Sequence, residues 1–149
     1  MLDFFRTLFS YDEWAISRSL SSIQGASESK AKLLLSHILL AEKIWLTRLN
    51  GKDSSAIPTF HEFPIEECQK MAAELHRGYV EFIDSLSDAD LDKPIAYKNT
   101  KGEEFSTSIR EILTHVGLHG AYHRGQIAWL VREGGNTAVS TDFITYTRL

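Results

Sequence analysis

Residues Thr114 to Ile127 read THVGLHGAYHRGQI and place histidines at 115, 119 and 123. Four residues advance an α-helix by about 40° and 6 Å, so successive histidines of this series stand one turn apart. With Ile112 as reference and about 100° per residue, Val116 falls near +40°, His119 near -20°, His123 near +20°, Ile127 near +60° and Leu130 near 0°. This reading puts His119 and His123 in the middle of the apolar stripe. His115, near about -60°, falls at the edge, where it suits a supporting or rim position better than direct binding. Gln126, near about -40°, is expected to reach the edge of the site or to bond a neighbouring helix. Arg124, near about 120°, is expected to face away as a surface or salt-bridge residue.

Burying two imidazoles side by side requires partners for their nitrogens, because unpaired buried polar groups are costly. A metal ion satisfies both, and histidines four apart on one helix face are a recurrent ligand pair. A third comes from the stretch Leu33 to Leu40, in which His37 aligns with Leu33, Leu40 and Ile44. Any one of these histidines alone reads as a core residue bonded to a carbonyl. Together, His37, His119 and His123 predict one divalent cation with a coordination position left open. Imidazole nitrogen accepts zinc, nickel, iron and copper, so the donor set does not fix the ion; zinc or nickel leads, with iron as the alternative. His61 falls in a loop and His76 about 100° from Leu75, outside the third helix's stripe. No Ser-His-Asp order and no phosphate-cradling glycine loop is visible, and no catalytic residue is marked beyond a general base at His115.

The elements that position these residues follow from apolar spacing near 3.6. A first helix is predicted from about Leu2 to Ile23, stopping near Gln24-Gly25. A second starts after Ser27 as N-cap and ends at Asn50-Gly51. Lys52 to Phe63 reads as a loop, and Pro64 opens a third helix running to about Ser87. Pro94 to Tyr97 and Glu103 to Phe105 flank Asn99-Thr100-Lys101-Gly102, which predicts a small hairpin or extended linker. A fourth helix begins near Thr107 or Ser108 and ends at Gly134-Gly135. Phe143, Ile144, Tyr146 and Leu149 of the tail are expected to pack on the helices. The sum is an all-α four-helix bundle of one domain, residues 1–149. Trp14, Trp45 and Trp129 are expected to anchor packing, with Trp129 beside the core stripe of the fourth helix.

The 149 residues carry 43% hydrophobic and 24% charged side chains, as an ordinary globular protein does. The formal charge of -4, with basic residues scattered singly, argues against nucleic acid. No secretory leader or membrane-length apolar run is apparent, so the expected location is cytoplasmic. The single cysteine, Cys68, falls at helical spacing with Met71, Ala72, Leu75 and Tyr79 and reads as a small buried hydrophobe.

Several of these segments resemble the DinB/YfiT-like family of metalloenzymes along essentially the whole chain. Tyr11-Asp12-Glu13-Trp14-Ala15 with Arg18 is similar to its first helix, and Ser36-His37-Ile38 through Glu42, Trp45 and Leu49 to its second. His115, His119 and His123-Arg124-Gly125-Gln126-Ile127 resemble its most specific motif, and Thr141-Asp142-Phe143 its C-terminal signature. The resemblance implies a four-helix bundle, commonly dimeric, with a divalent cation on His37, His119 and His123. It also implies the chemistry of relatives that use low-molecular-weight thiols such as mycothiol or bacillithiol, as isomerases or S-transferases. The leading expectation is therefore a small thiol, made nucleophilic by the ion, attacking an electrophilic small molecule. A metal-dependent hydrolase and a non-catalytic metal-binding stress protein are the alternatives.

Overall fold

The computed structural model describes residues 1–24 and 29–149. Four long helices, α1 (Leu2–Gln24), α2 (Ser29–Leu49), α3 (Ile65–Asp84) and α4 (Ile109–Glu133), carry most of the chain. A two-stranded sheet of β1 (Pro94–Lys98) and β2 (Glu104–Ser108) joins α3 to α4, and a single turn, α5 (Phe143–Tyr146), lies in the tail. The chain is thus mostly helical, with a small sheet where the hairpin is expected. The N-cap expected at Ser27 and the helix stop expected at Gly25 lie outside the described residues.

The ends of these elements have local causes. At the start of α4, Ser108 Oγ accepts the Glu111 N–H at 3.3 Å while the Ser108 N–H donates to Glu111 Oε2 at 3.0 Å. This reciprocal capping satisfies two donors that an open helix end leaves unpaired. At the exit of α2, Gly51 takes the left-handed conformation with φ 68° and its N–H bonds the Arg48 carbonyl at 2.9 Å. Helix α3 begins after Pro64, as expected, but stops at Asp84 rather than near Ser87. Ser87 instead caps a 3-10 turn over Asp88–Asp92, with its N–H and hydroxyl both donating to Asp90 Oδ2. In the hairpin, Asn99 Oδ1 accepts the Lys101 and Glu103 N–H groups, each at 2.9 Å, which sets the antiparallel register from Pro94↔Ser108 to Lys98↔Glu104.

Helix α1 packs on α3 and α4, α2 packs on α4 and α3, and the hairpin rests against α2 and α4. The interior divides along the helix axes. One apolar cluster joins Ile16, Leu20, Ile23, Leu35, Ile38, Leu39, Cys68, Leu75, Ile127 and Val131. The other joins Phe5, Phe9, Leu49, Tyr79, Ile83, Ile109, Ile112, Leu113 and Val116. Between them in sequence on three helices lie the buried polar residues Asp12, Glu42 and Arg124.

The tail binds mainly to α1. Tyr11 donates to the Thr141 carbonyl at 2.8 Å, Arg18 to the Ser140 carbonyl at 2.8 Å, and the Val139 N–H to Ser22 Oγ at 3.1 Å. Tyr146 and Phe143 meet the Tyr11 ring, whereas Ile144 and Leu149, also expected to pack, are exposed. Among the described residues no helix is long and apolar enough to cross a membrane.

Candidate metal centre

Helix α2 brings His37, and α4 brings His119 and His123, to one place. One nitrogen from each ring lies within 4.8 Å of the others, and all three side chains are partly buried. Ring centroids are 5.0 Å apart for His37 and His119, 4.8 Å for His37 and His123, and 4.5 Å for His119 and His123. The interplanar angles of 62°, 89° and 71° mean that the rings meet edge to face, so they converge instead of stacking. Nitrogens on one zinc at 2.0–2.1 Å stand about 3.3 Å apart, so the set closes on an ion with small side-chain adjustments.

Two of the three rings are oriented from behind. His37 Nδ1 lies 2.7 Å from the Thr59 carbonyl, which only accepts, so Nδ1 carries the proton and Nε2 keeps its lone pair. His123 Nδ1 lies 2.6 Å from Gln126 Oε1, which imposes the same tautomer. This is the outer arrangement that ligating histidines ordinarily have. Phe60 stacks flat on His37, with centroids 4.1 Å apart and planes 4° apart. Burial, followed by the neighbouring His123, His37 and His115, lowers the His119 pKa to about 4. Burial also lowers His37 and His115. Burial thus favours the neutral form of His37 and His119, and a set of three imidazole nitrogens fits a divalent transition metal.

The angular reading of α4 needs correction. Its buried residues are Ile109, Ile112, Leu113, Val116, Gly117, Gly120, Arg124, Ile127 and Val131. They centre near about +80° on the Ile112 scale, because α4 is covered by α1 as well as α2. His119 and His123 consequently stand at the border of the buried arc, half-exposed, and not in its middle. His115 lies farther out and is exposed, touching Trp45 at 5.3 Å and His119 at 5.6 Å.

Arg124, expected to face away, is 1% exposed. It pairs with the buried Asp12 of α1 and lies over the Tyr11 ring at 5.2 Å. The signal was present: Leu113, Gly117, Gly120 and Arg124 recur at helical spacing, and a Cβ on Gly120 would meet Arg124 Nη1 at 2.7 Å and Asp12 Oδ1 at 3.0 Å. Small residues there let the guanidinium into the interior. Glu42 of α2 joins this layer, and burial, then the Asp12 carboxylate, raise its pKa well above the usual carboxylate range. Tyr79 donates to the Glu42 carbonyl at 2.8 Å.

The remaining histidines take no part in the cluster. His76 pairs with Glu13 at 3.1 Å and bridges α3 to α1, and His61 packs edge-on to Phe63. Of the tryptophans, Trp14 and Trp45 pack in part, but Trp129 lies near about -100°, not beside the stripe, and is 59% exposed. Thr59 and Phe60 leave no periodic signal in the sequence, one acting through its backbone carbonyl and the other as a loop aromatic.

A family model matches residues 9–149, and its description is the DinB family. The chain is 26% identical to Protein DinB of Bacillus subtilis (strain 168) over 165 aligned positions, which cover 98% of this chain and 95% of that protein. No solved structure matches the chain. With the family model spanning nearly all of the sequence, the histidine triad included, the chain belongs to the DinB family.

Proposed function

We propose that this chain is a cytoplasmic metal-dependent enzyme that transfers a small cellular thiol to an electrophile, with His37, His119 and His123 holding a zinc or nickel ion. The four long helices are read as a single four-helix bundle built around that site. The observation that carries the proposal is the convergence of three imidazole donors at the border of the buried arc, where a small molecule can reach them. A divalent ion held there supplies a Lewis acid that lowers the pKa of a thiol or a water molecule. The chain's own residues do the rest. The Thr59 carbonyl and Gln126 fix the tautomers of His37 and His123. His115, at the rim of the cluster with its ring 5.6 Å from that of His119, is our candidate to accept a proton from an incoming thiol on a ring nitrogen.

The metal assignment is tested by elemental analysis of protein made without a histidine tag. His37→Ala, His119→Ala and His123→Ala are each expected to lose most of the ion, and His115→Ala to retain it. Equal retention by all four rejects the site. The reaction is tested by assaying metal-replete protein with bacillithiol, mycothiol, glutathione and cysteine against a model electrophile. A rate that needs the ion and disappears in His123→Ala supports thiol transfer. Absence of any metal-dependent rate moves the reading to a hydrolase or to a metal-binding protein without turnover.

A further inference from the structure

A cleft of about 690 Å³ opens between the end of α2 with its following loop and the tip of the hairpin, and none of the three clustered histidines lines it. Its size is that of a pocket for a small metabolite. Arg48 forms part of the wall. Its guanidinium lies against the Trp45–Tyr97 pair, whose rings meet edge to face with centroids 4.9 Å apart, at 4.6 Å from the centre of Trp45 and 4.7 Å from that of Tyr97. Its Nε donates to Ser54 Oγ at 3.0 Å and its Nη2 to the Lys98 carbonyl at 2.9 Å. Among the described residues no carboxylate pairs with Arg48, and burial lowers its pKa. A half-buried cation without a counter-ion is an unusual expense unless an anion visits it.

The surroundings carry the same sign. Lys52 and Lys98 line the cleft with Arg48, against the single carboxylate of Asp53. That carboxylate accepts the Ser55 N–H at 3.0 Å and its hydroxyl at 2.6 Å, so it is tied to its own loop while keeping its charge, and the three cations outnumber it. Lys98 reaches Glu104 at 3.4 Å only in an exposed pair, which contributes little. The carbonyls at the end of α2, which would favour a cation, are capped: Asn50, Lys52 and Gly51 N–H groups bond the Leu46, Thr47 and Arg48 carbonyls. An excess of positive charge is thus concentrated in one cleft of a chain whose net charge is -4. Ile44 and Ile57 supply apolar wall beside it.

We infer that this cleft binds the carboxylate or phosphate group of a small organic molecule. Arg48 is the pre-oriented anchor, its edges fixed by Ser54 and the Lys98 carbonyl, and Lys52 and Lys98 close on the anion from the loop and the hairpin. The inference does not depend on the ion at the histidines. It is tested on the full, metal-free chain by two-dimensional amide NMR, titrating inorganic phosphate and citrate, with sorbitol as the uncharged control. Saturable shifts confined to residues 51–55 and 97–102, at about 1 mM or tighter, are expected with one or both anions and none with sorbitol. Saturation by citrate alone assigns a carboxylate and by phosphate alone a phosphate. The double variant Lys52→Ala/Lys98→Ala, both positions at the surface, should weaken binding about tenfold with an unchanged melting temperature. Arg48→Lys, which keeps the charge and loses the fork, should weaken it by a similar factor. Absence of saturation with either anion, shifts scattered over lysines elsewhere, or equal affinity in the double variant would overturn the assignment.

Discussion

Gln126 shows how a neutral side chain governs the chemistry of its neighbour. It accepts the proton of His123 Nδ1 and leaves Nε2 free to face the other two rings. Gln126→Leu removes that acceptor while keeping the size of the side chain. Metal affinity is expected to fall about 10- to 100-fold, measured by competition with a chelator, with the fold unchanged by circular dichroism. His119 supplies a second test, this time of the metal-free protein. Its pKa is about 4 in the fold against an ordinary value of 6.5. Between those values the unfolded chain binds a proton that the folded chain refuses, so stability is complete above pH 6.5 and erodes as pH falls toward 4. The melting temperature of the metal-free protein should drop through this window, and that of His119→Gln should drop less. Identical profiles would mean that His119 does not carry the effect. Residues of this kind divide sharply in how legible they are. Histidines one turn apart reveal themselves by type and spacing, whereas the Thr59 carbonyl that orients His37 is backbone and has no signature in sequence.

The apolar periodicity of α4 marks one buried face, and the helix has two. Its apolar residues gave the face toward α2 correctly in kind, but the face toward α1 is made of Gly117, Gly120 and Arg124, which score as small or charged. Periodicity of hydrophobic side chains cannot register a surface built from missing side chains and a buried ion pair. The helix boundaries fared better, because Ser108, Gly51 and Pro64 act through local hydrogen bonds and backbone conformation that need no tertiary partner. Two glycines five residues apart on α4 separate these effects. A methyl at Gly120 meets the Arg124 guanidinium and Asp12, which are themselves buried, while one at Gly125 meets nothing within 4 Å. Gly120→Ala is expected to destabilise by about 1–3 kcal/mol, and Gly125→Ala to stabilise by up to about 1 kcal/mol through helix propensity. Denaturant unfolding of the two variants measures both, and equal shifts would show that the Asp12–Arg124 pair moves aside freely.

Across the whole molecule, the exposed side of α4 is oddly apolar. Leu118, Tyr122 and Trp129 are 66%, 66% and 59% exposed, and they follow one another along one stripe opposite the buried arc. Tyr122 also touches His123, with centroids 5.0 Å apart. A second copy of the chain is the occupant we propose for this stripe, which would also wall the open side of the histidine cluster. Light scattering at micromolar concentration should give twice the mass of 16.9 kDa, and Tyr122→Asp should return it toward the single chain. A monomeric mass for the unaltered protein would reject the pairing.

Cys68 has a consequence of another kind. It is the one cysteine of the chain, fully buried, with its Sγ 3.6 Å from Ser36 Oγ and its pKa raised by burial. Ser36 precedes His37, and its hydroxyl also accepts the Phe63 N–H at 3.1 Å, so this thiol is sealed by the same helix and loop that hold the first histidine. A coloured disulfide reagent can react only with molecules in which α2 and α3 have momentarily parted. The rate of that colour change is therefore a direct clock of native-state opening, free of interference from any other thiol in the chain. Loading the histidines with an ion should slow the clock in proportion to how firmly His37 is held.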